Sequence, residues 1–108
     1  MNEQKIIRFY LEYKKFFNIY ISNIRVHINE LISKHNITKD EIKFILINYD
    51  TTFDISHILQ SIYYSLIEEI DETYVDAALV ALSGAMQLQN ITNIEHKIIR
   101  IKEIIDEN

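Results

Sequence analysis

Apolar residues recur along this chain with a helical period almost from end to end. In the first third, Ile6, Tyr10, Tyr13, Phe17, Tyr20, Ile24, His27 and Leu31 follow alternating steps of four and three, while Arg8, Lys15, Ser22 and Asn29 hold the opposite face. Phe9, Phe16, Ile21 and Ile28 flank the seam and widen it beyond that of a two-stranded coil. The pattern predicts one long N-terminal helix over residues 3–35. At about 1.5 Å per residue it would run on the order of 50 Å.

Shorter helices follow. Thr38 and Glu41 form a capping box, with Ile37 and Ile42 as its hydrophobic staple, and predict a helix over 39–48. The polar cluster 48–52 is a turn, and Asp54 or Thr52 caps a helix over 54–70 that the run Asp71-Glu72-Thr73 breaks. A helix over 74–89 carries Ala77, Ala78, Ala81, Gly84 and Ala85 among Val75, Leu79, Val80, Leu82 and Met86. Being apolar nearly all round, it is expected to be buried, with Gly84 at a close crossing. Thr92 and Glu95 repeat the capping signature ahead of a last helix over 93–105. The two capping segments match over ten residues at a separation of 54, which reads either as convergent helix-start chemistry or as a duplicated helical hairpin that would align Tyr20 with Tyr74. The expected architecture is all-α: a single domain over 1–108, a small bundle of about five helices dominated by the first.

Composition removes whole classes of function. The chain has one glycine and no proline, cysteine or tryptophan. Glycine-rich phosphate loops are excluded, as are disulfide scaffolds, thiol nucleophiles and cysteine-ligated metals. The opening segment carries Arg8, Glu12, Lys14 and Lys15 and does not read as a secretory leader. The longest weakly polar run, 75–86, is 12 residues, against roughly 20 for a membrane span. No membrane association and a cytoplasmic location are expected. The 23 isoleucines and 12 aromatics are more apolar material than one small bundle easily hides, and a 50 Å helix outruns its neighbours. A homodimer through the first helix is therefore expected.

The net charge of −5 conceals an asymmetry. Between Phe44 and His96 there are eight acidic residues and no lysine or arginine; the rest of the chain holds eleven basic and eight acidic, a net of +3. Glu68, Glu69, Asp71, Glu72 and Asp76 are the densest cluster. Asp71, Glu72 and Asp76 suit the positive start of a helix, but Glu68 and Glu69 would sit at the negative end of theirs. The cluster is thus a candidate docking patch for a partner with a basic surface. Its oxygens also suit magnesium or calcium, although no EF-hand pattern is present.

Candidate chemistry is sparse. His27 falls on the tyrosine-rich seam, where a buried histidine bonded to a tyrosine hydroxyl is expected. Asp54 and His57 stand three apart, but the paired Glu-x-x-His motifs of a di-iron bundle are missing. Asp54-Ile55-Ser56-His57 contains triad residue types that point different ways along one helix. No catalytic, cofactor or metal site is expected. Residues 39–66 can be drawn as a helix–turn–helix, but its recognition helix would open with Asp54 and carry no lysine or arginine. Lys5, Arg8, Lys14 and Lys15 in the first helix, with Lys97, Arg100 and Lys102 in the last, leave one route to nucleic acid, a basic stripe if the two helices lie side by side. The aromatic face Phe9, Tyr10, Tyr13, Phe16, Phe17 and Tyr20 is a core, a dimer interface or a partner groove. Together these features predict a non-catalytic protein-binding module, such as an inhibitor, immunity or anti-defence factor, or adaptor. A nucleic-acid-binding regulator is the alternative.

Overall fold

A computed structural model describes residues 2–16, 23–49, 53–84 and 94–106, with the backbone alone at 53–55, 83, 84, 94 and 95. These residues form six α-helices and no strand: α1 Glu3–Lys15, α2 Ile24–Lys34, α3 Lys39–Asn48, α4 Phe53–Glu68, α5 Glu72–Gly84 and α6 Ile94–Asp106. The protein is all-α, as its periodicity predicts. The chain divides into two units, Met1–Ser56 and His57–Asn108, and the division falls inside α4.

In the first unit, the helix expected over 3–35 is two helices. Asn23, directly before α2, has φ 58° and ψ 42°, a left-handed conformation that a continuous right-handed helix cannot contain. Lys34 Nζ and His35 Nε2 lie 3.4 and 3.2 Å from the carboxylate of Glu12. Twenty-two residues of unbroken helix would hold Glu12 and Lys34 about 33 Å apart. The seam ran on because the two helices keep phase: at 100° per residue, Ile28 and Leu31 fall on the same side as Ile6 and Tyr13. No glycine or proline marks the turn. Phe17 and Tyr20 lie outside the described residues.

α1 begins on an Asn2 cap, whose Oδ1 accepts from the Lys5 amide at 3.2 Å. It buries Ile6, Phe9 and Tyr13 completely, with the last two rings stacked at 6.0 Å. α2 ends in a Schellman motif around Asn36, at φ 53°, where the Ile37 amide donates to Ile32 O at 3.0 Å. The predicted capping box then starts α3: Glu41 N–H donates to Thr38 Oγ1 at 3.2 Å and Thr38 N–H to Glu41 Oε1 at 2.9 Å. Ile37, Ile42 and Ile45 are buried. Lys5 closes the unit, reaching Glu41 Oε1 at 2.8 Å and donating to Asn36 O at 2.9 Å.

In the second unit, the most deeply buried helix is α4, in which every residue from Ile58 to Tyr64 is buried. The sequence assigned that place to the alanine-rich helix instead. α5 buries Val75, Ala78, Leu79 and Leu82 but exposes Tyr74, Ala77, Val80 and Ala81. The inversion has a physical cause. α4 hides polar side chains by pairing them, whereas α5 leaves half of an apolar surface uncovered.

The α4–α5 junction also shifts from its predicted place. Glu69 takes φ 55°, which stops α4 at Glu68, and Ser65 Oγ donates to Ile70 O across the turn. Asp71 is then a cap, its Oδ1 accepting from Thr73 N–H at 2.9 Å, so α5 starts at Glu72 rather than at residue 74. The surroundings of Gly84, residues 85–90 and the Thr92–Glu95 capping pair lie outside the described residues.

Candidate functional site

α6 is amphipathic and α5 apolar nearly all round, and they do not use up their apolar surface on each other. Ile101 is buried beneath them with Ala78, Leu79 and Leu82. On their outer side Tyr74, Ala77, Ala78, Ala81, Ile104 and Ile105 line a cleft of about 380 Å³. Tyr74 stands at one end with two-thirds of its surface exposed (67%). The alanines at steps of three and four give the floor its depth, since no side chain beyond Cβ fills the space between the helices. Among the described residues that line it, the Tyr74 hydroxyl is the only polar side-chain group, where a small substrate would call for several to converge. An open apolar groove between two helices suits an apolar helix face.

Acids neighbour two of the groove residues along the chain. Asp71, the cap of α5, precedes Tyr74 by three residues, and Asp106 follows Ile105; both are exposed, as is Glu69. The five acids of the predicted patch have different partners and exposure. Asp76 turns toward α4: its Oδ1 is 3.0 Å from Ser61 Oγ and 3.9 Å from His57 Nε2. Ser61 Oγ is also 2.8 Å from His57 O, so its single proton is shared between two acceptors. Glu68 pairs with Lys102 at 2.7 Å. Glu72 opens α5 and is half-buried, and Asp71 combines capping with exposure.

The aromatic face divides similarly. Phe9 and Tyr13 are core; Tyr10 is half-buried, edge-on to Tyr49 at 4.7 Å; Phe16 is half-buried, 6.1 Å from the His27 ring. His27 itself is exposed, 3.9 Å from Glu30, rather than buried against a tyrosine. Among the basic residues, Lys5 is committed to Glu41, Lys102 to Glu68, and Arg100 to Glu103 at 2.5 Å. Arg8 and Lys15 are exposed on α1, and Lys14 lies 5.5 Å from the centre of the Tyr10 ring.

Lys97 is half-buried, its Nζ reaching Gln60 Oε1 at 3.4 Å, and burial holds its pKa below the usual lysine value. Tyr64 is buried with no hydrogen-bond partner for its hydroxyl among the described residues, and burial, aided by Tyr63, pushes its pKa upward. Among the described residues no three His, Asp or Glu side chains are gathered closely enough to hold a metal ion, and no helix is long and apolar enough to cross a membrane.

Sequence reasoning named the acids at this end of α5 but not Tyr74, Ala77, Ala81, Ile104 or Ile105. The signal was present. A helix with neither a polar face nor the bulk of a core helix is either buried or left open, and periodicity cannot tell which. Comparison of the chain with protein-family models, with curated proteins and with solved structures gives no match.

Proposed function

We propose that this is a non-catalytic protein-binding module of the inhibitor, immunity-factor or adaptor kind, acting in the cytoplasm. Its working surface is the α5–α6 groove, which receives an apolar helix face of a partner whose flanks are basic. The observation that carries this reading is the open apolar groove, whose residues Tyr74 and Ile105 have the exposed acids Asp71 and Asp106 as near neighbours in sequence. Apolar anchors at helical spacing would supply affinity, while the acids steer approach and favour a basic partner. The nucleic-acid alternative draws less support, because Lys5, Arg100 and Lys102 already face carboxylates.

The test uses a synthetic helical peptide with leucines at i, i+4 and i+7 and lysines elsewhere, titrated into isotopically labelled protein and followed by NMR. Shifts should concentrate at Tyr74, Ala77, Ala81, Ile104 and Ile105. Ala81→Glu should abolish them, and a glutamate-flanked peptide should bind at least tenfold more weakly. Equal binding to Ala81→Glu, or shifts confined to other residues, would overturn the reading.

A further inference from the structure

The chain carries, on its own first helix, a segment with the chemistry the groove asks for. α1 buries Ile6, Phe9 and Tyr13 on one side. Its other side exposes Ile7 and Leu11, at 47% and 57%, one turn apart. Arg8, Lys14 and Lys15 surround that pair, all exposed, and Arg8 and Lys15 form no ion pair among the described residues. A single exposed leucine calls for no explanation, but an i, i+4 apolar pair framed by three cations is the surface of a basic amphipathic helix.

Dimensions and charge agree. Ile7 and Leu11 are separated by about 6 Å along α1, and Tyr74 to Ala81 spans about 10 Å of groove, room for both anchors. Lys14 and Lys15 follow the anchors at the C-terminal end of α1 and Glu3 precedes them, while Asp71 and Asp106 are sequence neighbours of the groove residues Tyr74 and Ile105. A docked α1 therefore has one favoured direction.

We infer that the α5–α6 groove of one copy is occupied by the Ile7–Leu11 face of α1 from a second copy. The inference rests on the reading of the groove as a protein-docking surface and names an occupant for it. The contact is heterologous, a ridge on one molecule against a groove on another, so each copy brings both halves. Self-association then competes with any basic partner helix for the same surface.

The heterologous geometry supplies the test. Light scattering from about 10 μM to 1 mM should give a wild-type mass that rises above the monomer and falls back with added salt. Leu11→Asp and Ala81→Glu alter exposed positions on opposite halves of the contact, and each variant alone should be monomeric. Mixed in equal amounts they should associate again as a two-chain species, because each retains the half the other lacks. Circular dichroism checks that each variant is folded, with Ile7→Asp and Ala77→Glu as substitutes. A monomeric wild type, association of either variant at wild-type strength, or a mixture that stays monomeric overturns the inference. The lysine-flanked peptide separates the two readings: if it binds the groove of a monomeric wild type, self-docking falls and the docking surface stands. If peptide and self-association are both indifferent to Ala81→Glu, both fall.

Discussion

The two units hold their helices together by different means. In the first, charged side chains cross between helices over a closed apolar core: Lys5 on Glu41, and Glu12 accepting from His35 and Lys34. In the second, a buried helix makes polar contacts from its own interior positions, Ser61 to Asp76 and Gln60 to Lys97, with Glu68–Lys102 at its end. Charge clamps hold the helices of the first unit over its core, and the apolar side chains it leaves exposed, Ile7, Leu11, Val26 and Ile47, line no cleft like that of α5 and α6 among the described residues. Polar pairing beneath α5 and α6 leaves their outer apolar surface unspent. The helix that looks most apolar in sequence, α5, is the one that lines an open groove, and a groove is what a helical partner needs.

The contrast breaks most sharply under side-chain truncation. Phe9→Ala empties a fully buried ring position in the first unit and should cost about 3–5 kcal/mol. Tyr74→Ala in the second unit removes a ring of similar size that is mostly solvent-exposed, and should change stability by about 0.5 kcal/mol or less. The peptide affinity should respond the opposite way, lost in Tyr74→Ala. Urea unfolding of both variants measures the first difference, and a large loss from Tyr74→Ala would show that the groove is core.

Charge chemistry gives the next effect. Burial opposes ionisation of Glu41, but hydrogen bonds from Lys5 and the Thr38 amide prevail and hold its pKa below 4.5. The hydrogen bond from His35 is the main cause of the lowered pKa of Glu12, with Lys34 adding to it against a smaller effect of burial. A folded-state pKa below the unfolded value stabilises above the unfolded pKa, and that stability drains as pH falls through the folded one. The first unit should therefore loosen in acid below about pH 4.5. Lys97 in the second unit is also lowered, so its burial penalty applies while the group is charged and is lifted as pH rises toward 10.5. Residue-resolved hydrogen exchange should show α1–α3 amides weakening first in acid. Glu41→Gln should blunt that response and cost about 1–3 kcal/mol at neutral pH.

Fold class was legible because 3.6-residue periodicity, capping boxes and the scarcity of glycine all pointed the same way. Thr38 and Glu41 made a box as read, and α3 has the predicted bounds. Two things were not legible. The α1–α2 turn hid behind matched helical phase and an asparagine that does the work usually given to glycine. Burial of α4 hid behind Gln60, Ser61, Tyr63 and Tyr64, whose polarity argues for exposure until their partners are known. The groove was missed for the same reason in reverse: apolar composition reports what a helix can bury, not what the rest of the chain covers.

Among the described residues the buried Tyr64 hydroxyl of α4 has no hydrogen-bond partner, so it bears its desolvation cost without a compensating bond from them. Tyr64→Phe should raise stability by about 1 kcal/mol. A loss on that substitution would mean that the hydroxyl is satisfied after all, and would extend polar pairing along the whole buried helix.

The smallest effect compares two helix ends. Both α2 and α4 stop at a residue in left-handed conformation, Asn36 at φ 53° in the first unit and Glu69 at φ 55° in the second. Asparagine tolerates that region because its short amide can hydrogen-bond locally; glutamate has no such compensation and keeps the full Cβ clash. Glu69→Gly should therefore stabilise by about 0.5–1 kcal/mol, and Asn36→Gly by less, with thermal unfolding as the readout. Glu69 is also an exposed acid beside the Asp71 cap. If the groove draws basic partners, Glu69→Gly should weaken binding of the lysine-flanked peptide while raising the melting temperature. Stability and binding moving in opposite directions at one residue would mark Glu69 as kept for charge, since its backbone conformation favours glycine or asparagine.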